Sequence, residues 1–326
     1  KTRRIHNLIF ASSLSSAEKI NAALGLRGNI KSDGRPILGL DAKELAKIIF
    51  DIDEEAMVVP AHAWTPWFSV FGSMSGFDSL EECFDEYAPY IYAIETGLSS
   101  DPEMNWRVSM LDRIALISNS DSHSLRRIGR EANVFECERS YGGITAAIKS
   151  RDPKKFLYTI EFYPEEGKYH YDGHRVCGFS CGPEETKRLD NLCPKCGKGM
   201  TVGVMNRVAA LADRPQGRRH AGSIPFKRMV PLDEIVGEAL GVGVLSKKVR
   251  EMSAGLVAKV GCELAALIDA DVGDIAAAST PEVAEGIRRV RTGELFIAPG
   301  YDGEYGKVRI FKDEEHSAGR KQRRLF

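Results

Sequence analysis

Short apolar runs alternate with stretches of helical period through the first half of the chain. Arg4–Phe10, Ala56–Pro60, Tyr90–Thr96 and Arg113–Ser118 read as strands, and Ala132–Phe135 as a shorter one. Between them, Ser15-Ser-Ala-Glu18 has the form of a capping box opening a helix to Leu24, and Asp41 is placed to cap a helix over Ala42–Phe50. Further helices are predicted near Ser79–Glu86, Asn105–Leu111 and Gly143–Lys149, and Lys31–Pro36 is a turn-rich loop. Strand and helix thus take turns, and polar residues close successive strands. That order predicts a parallel α/β barrel, whose functional groups collect at the carboxyl ends of its strands.

The pattern changes after Arg151-Asp-Pro153. Leu157–Phe162 and Thr201–Met205 read as strands, and Asn206–Ala212 as a helix. Amphipathic helices then dominate. One is Leu232–Leu240 behind Pro231, a second leaves the Gly241–Lys248 turn and runs to Val260, and a third is Pro281–Thr292. Phe296–Ile310 reads as a strand pair around Gly300-Tyr-Asp-Gly303. Three units are therefore expected: a barrel over 1–150, a small module over 151–221, and a mainly helical domain over 222–326.

A length of 326 residues accommodates this organisation with a sizeable core. The formal net charge of −1 conceals a concentration of basic residues late in the chain, so a nucleic-acid partner is not excluded. No apolar stretch reaches the length of a membrane span, and no secretory signal is evident. Four of the seven cysteines fall between Cys177 and Cys196, which favours metal over disulfides and a reducing, cytoplasmic setting. The sequence opens at Lys1, already inside the apparent strand Arg4–Phe10, so an upstream segment is expected.

Candidate chemistry sits at the strand ends. Ile117-Ser-Asn-Ser-Asp-Ser-His-Ser124 places Asp121 and His123 two residues apart where an apolar run gives way to a loop, and Met57–Trp64 ends in His62. Glu95 closes a third run, while His6 lies inside the first one. Imidazoles and carboxylates converging on one rim suit zinc, manganese or iron. A cation held there lowers the pKa of bound water and polarises a phosphoryl oxygen. The aromatics Trp64, Trp67 and Phe68 follow His62 and serve either as a pocket wall or as packing.

Cys193-Pro-Lys-Cys196-Gly is a strong half-site for structural zinc. The other half is open on spacing alone: His174 with Cys177, or Cys177 with Cys181, with His170 as a further choice. The basic loop Asp213–His220, followed by Pro225-Phe-Lys-Arg228, reads either as a DNA phosphate contact or as a solvated linker. The turn before Lys247 and Lys248 is either a phosphate-binding helix start or a plain corner, and Arg288, Arg289 and Arg291 complement a helix dipole. The terminal Gln322-Arg-Arg-Leu-Phe326 reads either as a disordered basic tail or, by resemblance, as the start of a motif that binds the sliding clamp PCNA.

Pro60-Ala-His-Ala-Trp64 and Asn119-Ser-Asp-Ser-His123 resemble metal-binding motifs of the PHP superfamily of metallo-phosphoesterases. Pro60–Trp67, Ile94-Glu-Thr-Gly-Leu-Ser-Ser-Asp-Pro102 and Arg127–Phe135 are similar, more closely, to endonuclease Q, and the similarity runs along nearly the whole chain. The resemblance implies a distorted (βα)-barrel of PHP type, a zinc-binding module and a helical DNA-binding domain. It implies a metal-dependent DNA repair endonuclease cutting 5′ of uracil, hypoxanthine or xanthine, or at abasic sites. Its partner would be DNA containing deaminated bases. Catalytic metal, as zinc, magnesium or manganese, would fall to His6, His62, Asp121 and His123, with Glu95 ligating, orienting a ligand or reading the base. Structural zinc would fall to His174, Cys177, Cys193 and Cys196. The family's His-x-His on the first strand, and a glutamate just before the strand holding His6, have no counterpart here. The expectation is a truncated amino terminus or an incomplete site. Outside this class stand a small-molecule phosphoesterase on the same barrel and a DNA-binding scaffold with a decayed metal site.

Overall fold

The structure, a computed structural model, describes residues 3–32 and 36–312. The first unit runs β1 (Asn7–Phe10), α1 (Leu14–Gly25), α2 (Ala42–Ile52), β2 (Met57–Pro60), α3 (Leu80–Phe84), β3 (Ala93–Glu95), α4 (Pro102–Asn105) and β4 (Ala115–Ile117). β5 (Ala132–Phe135), α5 (Tyr141–Ser150) and β6 (Phe156–Glu161) follow. The first helix is capped by Ser13, not within the expected Ser15 box, because the Ser13 hydroxyl accepts from the Ser16 N–H. The helix expected over Asn105–Leu111 is displaced: α4 ends at Asn105, because the Asp101 carboxylate caps the Met104 N–H and Pro102 occupies the first turn, and the expected span holds only a 3-10 turn, Ser109–Leu111.

The architecture is mixed α/β, and among the described residues no sheet closes into a barrel. β1 pairs antiparallel with β2, with Leu8 opposite Val59, whereas β3 and β4 are parallel. β5 and β6 are antiparallel, and β9 (Phe226–Arg228) adds to β6 in parallel. Most of these strands span only three or four residues, so each ladder ends before it can link its neighbours into a ring. Individual hydrogen bonds cross the gaps instead: Ala63 N–H donates to the Glu95 carbonyl between β2 and β3, and the Ser118 hydroxyl to the Ile160 carbonyl between β4 and β6.

The antiparallel β1 corrects one expectation with a direct consequence for the site. A residue inside a parallel first strand would sit away from the rim. Here His6 immediately precedes β1, so reversed pairing puts it beside the carboxyl end of β2, and Ala61 N–H donates to the His6 carbonyl.

β7 (Asp172–His174) and β8 (Phe179–Cys181) form a small antiparallel hairpin, followed by α6 (Pro183–Arg188) and α7 (Val204–Leu211). The strand expected over Thr201–Met205 is only a single bridge from Thr201 to Gly173. The chain turns helical from Val204, because Val204 and Val208, one helical turn apart, bury themselves in the core of the first unit. Asp172 stitches this module together: its buried carboxylate accepts from Gly203 N–H at 2.6 Å, Asn206 at 2.7 Å and the Thr186 hydroxyl at 2.5 Å.

The carboxyl-terminal part packs α8 (Leu232–Leu240), α9 (Lys247–Val260), α10 (Glu263–Ile268), α11 (Val272–Ala278) and α12 (Pro281–Thr292) around Ile235, Val249, Leu256, Ile275 and Ile287. Ile160 of β6 joins this core, so the central strands carry helices of both large units. β10 (Phe296–Ala298) and β11 (Lys307–Arg309) form a closing hairpin. It returns to the small module, where Asp302 accepts from the Thr201 hydroxyl at 2.5 Å and Arg175 N–H at 2.6 Å. No helix among the described residues is long and apolar enough to cross a membrane.

Candidate active site and metal centre

His62 is the centre of the first constellation. It leaves β2 with φ 33°, an uncommon left-handed conformation for a non-glycine residue. Its backbone N–H donates to Glu95 Oε2 at 2.7 Å, and its ring Nδ1 lies 3.0 Å from the Thr65 hydroxyl. Its other nitrogen, Nε2, faces His6 Nδ1 at 3.0 Å. His6 is stacked on Phe68, which fixes the plane of its ring. Gly97 makes the approach feasible: with φ 61°, a Cβ there would stand 2.7 Å from that of His62.

Glu95 is 4 % exposed and accepts from Asn119 Nδ2 at 2.9 Å on its second oxygen. Burial pushes its carboxyl above the usual range, and the nearby Asp121 charge adds to that; the Asn119 and His62 donors oppose it. Asp121 and His123 sit on the exposed loop beyond β4, where His123 Nδ1 meets the Asp121 carbonyl at 2.9 Å. Among the described residues, His6, His62, Glu95, Asp121 and His123 share one end of the strands without forming a single compact ligand group.

Imidazole pairs are donors of the type that hold a transition-metal cation. His6 Nδ1 and His62 Nε2, 3.0 Å apart, stand at hydrogen-bond distance, whereas two nitrogens about 2.1 Å from one tetrahedral ion stand about 3.4 Å apart, so a cation between them requires the rings to part slightly. Two residues outside the predicted set organise this end. Asn133 exchanges hydrogen bonds with the Ser118 backbone at 2.9 and 2.8 Å and reaches Asn119 Oδ1 at 3.2 Å. Asn119 thereby holds Glu95. The Asn119–His123 run hinted at Asn119; Asn133 lies in the Arg127–Phe135 stretch that carried the resemblance, but its pairing with Asn119 from a different strand was not readable there.

The second constellation is compact. His174, Cys177, Cys193 and Cys196 offer ligand atoms that all lie within 4.8 Å of one another, so this group could hold a metal ion. Thiolates on one tetrahedral ion at about 2.3 Å stand about 3.8 Å apart, in keeping with that clustering. Gly197, at φ 71°, lets the knuckle turn back so that its N–H reaches the Cys193 carbonyl at 2.8 Å. The Lys198 backbone N–H lowers the Cys196 thiol below its ordinary value. Cys181 lies outside the group, with Sγ 3.3 Å from the Thr186 hydroxyl. His170 is also elsewhere, stacked on Tyr171, and burial lowers its imidazole to about 4.

The basic segments are largely committed within the protein. Arg214 grips Asp112 with two bonds of 2.6 and 2.5 Å, and Arg219 holds Ser223. Arg228 is clamped by buried Asp101 and by Glu103. Arg288 and Arg289 pair with Glu285, and Arg291 donates to the Ala266 and Leu267 carbonyls. Ser246 caps α9 through the Val249 N–H. Trp64 is buried packing, whereas Trp67 is half exposed and meets Tyr169 edge to face. The clamp-binding stretch Gln322–Phe326 lies outside the described residues.

This arrangement matches known structures over almost its full extent. The crystal structure of the lesion-specific endonuclease PfuEndoQ from Pyrococcus furiosus superposes with a TM-score of 0.85 at 32% identity, covering 97% of this chain and 79% of that one. The chain belongs to the endonuclease Q family. An endonuclease Q complex with a 27-mer duplex, an abasic lesion at its active site, gives a TM-score of 0.83 at 32% identity, over 96% of this chain and 77% of that one. Residues 231–294 match the MJ0043 C-terminal domain model, which places α8 to α12 in a recognised unit of this family. The uncharacterized protein MJ0043 of Methanocaldococcus jannaschii is 33% identical over 259 residues. That match takes in 76% of the endonuclease Q-type chain described above and 31% of the archaeal protein, so the chain spans about a third of that relative's length.

Proposed function

We propose that the protein is a metal-dependent DNA repair endonuclease that cuts the phosphodiester 5′ of a deaminated base (uracil, hypoxanthine or xanthine) or of an abasic site. The observation that carries this reading is the meeting of His6, His62 and Glu95 at one strand end in a chain of the endonuclease Q family. Support for the substrate comes from two relatives. One is a lesion-specific endonuclease, and the other was captured on duplex DNA with an abasic lesion at its active site.

In this reading His6, His62, Asp121 and His123 hold catalytic zinc, magnesium or manganese. When bound, such a cation lowers the pKa of a water and polarises the phosphoryl oxygen. Glu95 accepts the His62 backbone N–H and so keeps that ligand in place. The Cys193–Cys196 knuckle with His174 and Cys177 carries structural zinc, because three thiolates and an imidazole form a closed tetrahedral set. Discrimination of a deaminated base requires its edge to be read outside the stack, so the damaged nucleotide is turned out of the helix.

The test incubates the intact protein with manganese, magnesium or zinc and a labelled duplex carrying one uracil or hypoxanthine. The expected product is a nick 5′ of the lesion with 3′-hydroxyl and 5′-phosphate ends. Release of phosphate from small esters, with no nick in the duplex, sinks the proposal.

A further inference from the structure

Just beyond Asp121 and His123 the chain makes one 3-10 turn, Leu125–Arg127, closed by the Ile128 N–H on the Leu125 carbonyl at 3.4 Å. Residues three apart eclipse one another in such a turn, so Leu125 and Ile128 share an edge. Both are bare, at 87 % and 66 % exposure. The two residues between them are tied down. Arg126 pairs with Asp233, and Arg127 with Glu234 at 2.9 Å. Both acids lie in the first turn of α8, and Asp233 is itself held by the Ser253 hydroxyl of α9 at 2.7 Å. At the base of the loop, Arg130 donates twice to the Ser120 carbonyl, at 3.0 and 2.9 Å.

We propose that the Leu125–Ile128 edge is a wedge that enters the base stack of duplex DNA beside the lesion, braced by the Arg126–Asp233 and Arg127–Glu234 pairs. The inference rests on the nuclease reading above. Aliphatic side chains inserted between base steps unstack them and bend the duplex. A wedge transmits force only if it cannot fold back, and the two ion pairs fasten this one to the helical unit. Its position two residues after His123 sets it next to the phosphate to be cut. The bracing pairs also explain why two arginines beside a DNA site face carboxylates: their task is to hold the turn.

The experiment uses the intact protein, a labelled duplex carrying one uracil, and the same uracil strand alone. 2-Aminopurine beside the uracil reports unstacking. The wedge variant is Leu125→Ser with Ile128→Ser; the brace variant is Arg126→Asp with Arg127→Glu, alone and combined with Asp233→Arg and Glu234→Arg. Expected is a fall of roughly tenfold or more in the ratio of duplex to single-strand cleavage for the wedge and brace variants, since only the duplex has a stack to open. The charge exchange restores the ratio, and the wedge variant loses the 2-aminopurine rise. An unchanged ratio in the wedge variant, with the fluorescence rise intact, overturns the wedge; a charge exchange that restores nothing overturns the bracing. If the wild type nicks neither substrate, the nuclease reading fails, and the 2-aminopurine signal of wild type against the wedge variant still decides the wedge.

Discussion

Glu161 Oε2 accepts the Thr96 hydroxyl at 2.9 Å, one residue beyond Glu95, and so ties β6 to the loop that faces His62. Its other oxygen accepts the Thr159 hydroxyl at 2.5 Å. The carboxyl is fully buried, and burial pushes it up to about 8. Unpartnered Glu131 Oε2 lies in the same acidic interior, and burial with the Glu161 charge drives that carboxyl up as well. A carboxyl raised on folding is stabilising while protonated. Its contribution is whole below the unfolded value of 4.5 and is lost as pH rises towards about 8. The melting temperature should therefore fall from pH 5 to pH 8, by on the order of several degrees. Glu161→Gln should flatten that slope; a wild-type slope retained in the variant would refute the assignment.

Asn119 and Asn133 act on Glu95 without being candidate ligands. Asn133→Ala should lower the rate of DNA cleavage by roughly 10- to 100-fold, as changes behind metal ligands do, with KM for DNA nearly unchanged. Steady-state kinetics on the uracil duplex, read with a melting curve, separate this from simple destabilisation.

The pair of buried Asp101 with half-buried Arg228 joins the loop after β3 to β9. Removing one partner of a buried pair leaves an uncompensated charge, at a cost of about 3 kcal/mol or more. Arg228→Ala should lose that much in urea unfolding. Asp101→Asn with Arg228→Met should recover most of it.

The Cys/His group should bind one metal ion for each chain. Cys193→Ser, or a strong chelator, should release it and lower the melting temperature by about 10 °C or more, because this small module has little core of its own. Metal content measured beside the melt decides this, and a metal-free protein with an unaltered melt would count against it.

Helices with strong amphipathic pattern were the most legible elements. Leu232–Leu240 and Pro281–Thr292 have the predicted bounds, because the apolar period, a leading proline and a trailing glycine all agree there. The cysteine knuckle was readable for a similar reason: its ligands are close in sequence. Strand direction was not. Apolar runs such as Asn7–Phe10 look alike whichever way they pair, so a parallel barrel was expected where β1 is antiparallel to β2. Nor could spacing separate His174 from Cys181, both near Cys177; only the path of the β7–β8 hairpin distinguishes them.

The β1–β2 ladder therefore carries more than backbone pairing. Side chains along a strand alternate between faces, so sliding β1 by one residue would swing the His6 imidazole to the opposite side. Leu8 against Val59 and Ile9 against Val58 hold that alignment. Their aliphatic fit thereby acts as the alignment gauge for two imidazole nitrogens, and a cavity cut there should misaim the histidine before it unfolds the domain.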